Sequence, residues 1–150
     1  MEEDLKLSEH FYLREFVGSS TATARGIENI PSKSVIKNLR NLCKQVLEPL
    51  RNHYGKAIYI SSGYRCPELN QAVGGVAFSQ HLTGEAADLV LPSIALGKEW
   101  LEWIRQNIRN FDQCILERNR KGLCWLHVSC RPEGQEHMNR RTAFWLVGKR

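Results

Sequence analysis

From Ser32 to Tyr54 the apolar residues Val35, Ile36, Leu39, Leu42, Cys43, Val46, Leu47 and Leu50 recur at the spacing of one helical face. Ser32 can cap this helix and Gly55 can end it, while Pro49, which has no backbone N–H, is expected to kink its last turn. A second helix is predicted behind Ser93, where Ile94, Leu96, Trp100, Leu101, Trp103, Ile104 and Ile108 repeat in the same way. Short runs rich in branched apolar residues predict strands at AIYIS (57–61), AADLVL (86–91), DQCILE (112–117), CWLHVSC (124–130) and TAFWLV (142–147). RNRKG reads as a hairpin connection, and SGYRCP as a turn entering a short helix around Glu68 to Ala72. Residues 1–31 hold one apolar turn, FYLREFV, and then GSSTATARGIENIP, which reads as loop wrapping the core. This order, without repeats or low-complexity tracts, predicts a single mixed α+β domain with a small antiparallel sheet flanked by helices.

Composition narrows the setting more than the function. With 150 residues, 42% hydrophobic and 25% charged, the chain has the balance of one globular core. Its formal charge of +5 suits nucleic acid, acidic membrane or anionic wall polymer equally, and the basic residues are dispersed except toward the tail from Arg131 to Arg150. Five cysteines, an odd number without a CxxC pair, and an acidic start, MEEDLKLSEHF, with no apolar signal region lead us to expect folding in a reducing cytoplasm. The cysteines are then small core hydrophobes, and no run is long enough to span a membrane.

The densest chemistry lies in residues 61–91. GGVAFSQHLTG lacks the GxGxxG spacing of a dinucleotide turn, and GxxxxGK[ST] is absent, which excludes the usual phosphate loops. His81 and Asp88 flank Gly84, so a loop histidine and a strand carboxylate can converge; alone, such a pair reads as readily as a structural hydrogen bond. Strand alternation sets His127 with Trp125 and Ser129 on one face and Leu126 with Val128 on the other, which makes His127 the best third partner. Two histidines and one carboxylate leave a tetrahedral position open, the arrangement of catalytic zinc, which lowers the pKa of a bound water to about 7 and polarises carbonyls.

These residues carry a resemblance. SGYR (62–65), then SQHLTGEAAD (79–88) as SxHxxGxAxD, then the WLHVS strand (125–129) resemble the zinc D-alanyl-D-alanine carboxypeptidases, a family that includes phage endolysin peptidases and D-Ala-D-Ala dipeptidases and shares its fold with the hedgehog signalling domain. The resemblance runs from about Leu7 to about Val147. It implies His81, Asp88 and His127 as zinc ligands, with Arg65 and Ser79 holding a carboxylate or carbonyl of the peptide. A guanidinium suits that task as a fork for carboxylates and a donor to an oxyanion. Several members of the family place an acid three residues before the last histidine; here that position is Cys124. Glu117 is the nearest alternative base, though a strand-end glutamate in solvent fits the sequence equally. Asp112 reads as a turn or cap residue, Glu85 as pointing outward, and His10, His53 and His137 as exposed. Trp100, Trp103, Trp125 and Trp145 read as core or cleft-wall aromatics, and Cys66 and Cys124 lack a histidine partner for nucleophilic catalysis.

The expectation is therefore a monomeric, zinc-dependent peptidase acting on peptidoglycan stem peptides. Without a signal region, it would reach the wall through a phage holin or another route. Two alternatives stand beside it: a dipeptidase working on cytoplasmic D-Ala-D-Ala precursors, and a zinc-stabilised wall-binding module without catalysis, which the cysteine at position 124 keeps open. Nucleic-acid binding ranks last, because no recognition motif accompanies the positive charge.

Overall fold

The computed structural model describes residues 5–146. Its main sheet has five strands in the order β3 (Ile60–Ser62), β4 (Ala86–Val90), β6 (Cys124–Ser129), β5 (Gln113–Arg118) and β7 (Thr142–Leu146). Three of the four pairings are antiparallel, but β7 runs parallel to β5, so the sheet is mixed. β6 itself returns the chain to the start of β5, and the segment 130–141 then passes that end of β5 to begin β7 on its other side, with Ser129 and Thr142 both opposite Gln113. Val147, the end of the predicted strand, lies outside the described residues, as do residues 1–4.

One face of the sheet is apolar. Ala87, Leu89, Cys114, Leu116, Leu126 and Val128 are buried there, and α6 (Ile94–Asn107) packs against β5, β6 and β7. The long predicted helix completes this core as α3 (Lys33–Leu42), a wider π turn over Cys43–Leu47, and α4 (Glu48–Tyr54). Ser32 caps its start and Gly55 closes it in a left-handed conformation. Its predicted apolar face is buried except for Ile36, which packs at the margin. Pro49 falls just after the π turn, where the helix has already widened to absorb its missing donor. Burial pushes the thiols of Cys43 and Cys130 up to about 12, so they stay protonated as core residues, and all five cysteines are free.

The amino-terminal segment corrects the reading of residues 18–31 as loop. It forms α2 (Ser20–Arg25), capped by the Ser19 hydroxyl and stopped by Gly26 at φ 66°. Before it, a small hairpin of β1 (Lys6–Ser8) and β2 (Phe11–Tyr12) and the turn α1 (Arg14–Val17) bury Leu7, Phe11, Leu13 and Phe16 in the main core. His10, expected to be exposed, is half-buried here, because the Glu48 carboxylate bonds its ring, its backbone N–H and the Ser8 hydroxyl. The first predicted strand shifts from 57–61 to Ile60–Ser62, since it is an edge strand with irregular register against β4, and the short helix expected around Glu68 to Ala72 is α5 (Pro67–Ala72). Among the described residues no helix is long and apolar enough to cross a membrane.

Candidate active site

The second face of the sheet sets Asp88, Glu117 and His127 among the apolar Val90, Ile115 and Trp125 and forms the floor of a cleft of about 580 Å³. Cross-strand partners share a face on an antiparallel ladder, and the register puts Asp88 and Ile115 on either side of His127, and Glu117 and Val90 on either side of Trp125. The loop 73–79 and the turn Gln80–Thr83 stand beside this floor and carry the remaining groups.

His81, Asp88 and His127 meet there, with one ligand-type atom from each lying within 4.8 Å of the others. Asp88 Oδ1 is 3.0 Å from His127 Nδ1 and 3.4 Å from His81 Nε2. His81 Nδ1 lies 2.7 Å from the Gly63 carbonyl, which can only accept, so the Nδ1–H donates there and Nε2 is left as the lone-pair nitrogen toward Asp88. Burial alone would raise the Asp88 carboxyl, but the charge and hydrogen bonds of the His81 and His127 imidazoles in their protonated form outweigh it and, without a metal, hold the group well below the usual carboxylate range. Two imidazole nitrogens and an ionised carboxylate, one ring fixed by an outer hydrogen bond, fit a divalent transition-metal ion.

Local backbone explains why these groups converge. Gly63 passes so close to α1 that a Cβ there would lie 2.6 Å from the Phe16 backbone, and only glycine can bring its carbonyl to His81. Gly84, at φ 78°, turns the chain from the histidine into β4 against the Val35 carbonyl of α3. Arg65 is braced from three sides: its N–H donates to the His81 carbonyl, and the Asn29 side chain bonds the Tyr64 carbonyl and the Cys66 N–H on either side of it. Its guanidinium reaches Ser79 Oγ at 3.4 Å, and both residues line the cleft.

Glu117 is buried and lines the cleft, so the alternative of a strand-end carboxylate in solvent is overturned. The Trp125 indole N–H donates to its Oε1 at 3.0 Å and fixes its orientation. It is a diagonal neighbour of His127, a separation of about 7 to 8 Å between backbones on such a ladder. Cys124 alternates with Trp125 and lies on the opposite face from His127, where no group can serve the cleft.

Other expectations are corrected. Glu85 does not point outward but is buried and accepts from the Thr83 hydroxyl, because its backbone is tied to Gln80 and Cys130. Asp112 is no simple turn residue: it is fully buried and bonds Gln80 and Arg140. Trp145 lies on the edge strand, 48% exposed under the Lys98 ammonium, rather than in core or cleft wall. Trp100 is core and Trp125 lines the cleft, whereas His53 and His137 are exposed as expected. Sequence reasoning missed Asn29, Gln80 and the Gly63 carbonyl; the glycine of SGYR and the residue beside His81 were the available signals.

A cleft in an α+β scaffold, floored by a His, Asp, His cluster that could hold a metal ion and by the carboxylate of Glu117, fits a metallopeptidase. A family model described as Peptidase M15 matches residues 9–129, and the chain belongs to that family. A search of curated proteins returned no match.

Proposed function

We propose that this metallopeptidase is a zinc enzyme that hydrolyses peptide bonds in the stem peptides of bacterial peptidoglycan. The meeting of His81, Asp88 and His127 at the floor of an open cleft carries the reading. Two histidines and one carboxylate are the donor set of catalytic zinc, which keeps a position for reactants. When bound, the metal supplies Lewis acidity for the scissile carbonyl and the attacking water. Glu117 takes the proton of that water and returns it to the leaving amine, so that a C–O bond forms as the C–N bond breaks. Arg65 donates to the carbonyl oxygen as it gains charge, and Ser79 orients the peptide. The carboxylate of Glu117 in the cleft favours hydrolysis over a silent wall-binding module, since such a module needs no buried acid at that place.

The test is incubation of zinc-loaded protein with purified peptidoglycan and with D-Ala-D-Ala peptides, followed by fragment identification by mass. Wild-type protein releases defined fragments, His81→Ala releases none, and Glu117→Gln keeps its zinc while kcat falls by roughly 10²- to 10⁴-fold. Absence of cleavage of both substrates by zinc-loaded wild-type protein would sink the reading. Fragments from peptidoglycan but not from the short peptides would assign an endopeptidase; the reverse pattern would assign the dipeptidase or carboxypeptidase alternative.

A further inference from the structure

Arg140 lines the cleft although it follows the matched residues 9–129, and its side chain remains 52% exposed. A half-exposed arginine ordinarily gains little from fixed geometry. This one is fixed at several points. Its Nε and Nη2 donate to the two oxygens of the fully buried Asp112 at 3.0 and 2.8 Å, and its own backbone N–H donates to Oδ1 at 2.8 Å. The next residue, Arg141, holds a left-handed φ of 55° and sends its guanidinium the other way, to the Arg105, Ile108 and Arg109 carbonyls at the end of α6. Strained backbone of this kind persists only where its surroundings enforce it.

Charge and chemistry point the same way. Asp112 also lies 3.4 Å from Arg131 Nε, so one carboxylate faces two guanidiniums and the group keeps a positive charge in excess. Asp112 engages two of the five N–H donors of Arg140, and the other three lie on the edges away from it. The Gln80 amide donates to Asp112 Oδ2 at 3.0 Å, which ties this platform to the residue before His81. Ser79, one residue earlier, meets Arg65. The turn carrying His81 is thus linked to two separate guanidiniums. We propose that Arg140 is a substrate-binding residue that receives a carboxylate of the peptide, while Arg65 serves the scissile carbonyl. The inference rests on the peptidase reading above and adds its specificity: the substrate carries a free carboxylate displaced from the bond that is cut. That carboxylate belongs either to an acidic residue of the stem or to the chain terminus.

The experiment uses one synthetic stem peptide in three forms: both carboxylates free, the acidic residue amidated, and the C-terminus amidated. For wild-type, zinc-loaded protein, one amidation lowers kcat/KM on the order of tenfold to a hundredfold, mainly through KM, and which one it is identifies the source. In Arg140→Gln the ratio between the free and that amidated form collapses toward one, and Arg140→Lys restores part of it. Equal turnover of all three forms by wild-type protein overturns the proposal and leaves the peptidase reading standing, whereas cleavage of none of the three, with none of purified peptidoglycan either, removes both. Discrimination that survives in a folded Arg140→Gln, checked by thermal melting, also overturns it. If Arg140→Gln fails to fold, Arg140→Lys carries the same comparison, and flat turnover of the three forms by wild-type protein still overturns the proposal.

Discussion

At the scale of single residues, Gly63 shows how a position without a side chain determines chemistry elsewhere. Its carbonyl fixes the His81 ring, and its lack of a Cβ lets the chain just after β3 lie against α1, where a Cβ would fall 2.6 Å from backbone atoms of Phe16. Gly63→Ala is therefore expected to destabilise the fold by about 1 to 3 kcal/mol, measured by urea denaturation, because backbone rather than a flexible side chain must yield. Loss of zinc affinity in the folded fraction should accompany it, read by metal titration. His81 and Asp88 were legible because a short motif holds both. Glu117 was not decidable, since its burial depends on the pairing of β5 with β6, and no side-chain pattern states which residue opposes Trp125. Arg140 carried no signal at all: it sits in an irregular segment far downstream of the motif.

Among the elements, the amphipathic face of residues 33–54 announced the helix, because the whole core leans on it. The helix α2 was misread as loop for a physical reason: it buries only Ala22, so its sequence has no apolar stripe, and the Ser19 and Gly26 end signals were its sole marks. The direction of β7 was likewise hidden, since alternation is the same in parallel and antiparallel strands. What holds β7 in place beyond its ladder is Asp112 at the start of β5, whose backbone carbonyl takes the Thr142 N–H and whose carboxylate takes Arg140. Burial raises this carboxyl, but the hydrogen bonds of Arg140 and the charges of Arg131 and Arg140 outweigh it, and the net shift is downward. A depressed carboxyl contributes stability that is complete above the unfolded value of about 4 and is lost as pH falls through the lower folded value. Melting temperature should thus drop below about pH 4, and Asp112→Asn should lower it at neutral pH while flattening that acid slope.

The molecule as a whole gathers its cleft from distant parts of the chain. Three segments deliver His81, Asp88 and His127, so a bound metal ties the turn before β4 to the centre of the sheet. Ligands that bind only the folded form add stability, and at about a hundredfold excess over the dissociation constant the gain is about 2.7 kcal/mol. Chelation should then lower the melting temperature by roughly 5 to 10 °C for a chain of this size, and zinc should restore it. An unchanged melt on chelation of protein verified to hold zinc would contradict this tie. The central strand β6 has a further consequence in time. Asp88 precedes His127 by 39 residues, and β4 has no neighbour on that side until β6 is made. A nascent chain that has emerged only through the SxHxxGxAxD motif therefore still lacks its third ligand, and the cluster can form only after β6 has left the ribosome.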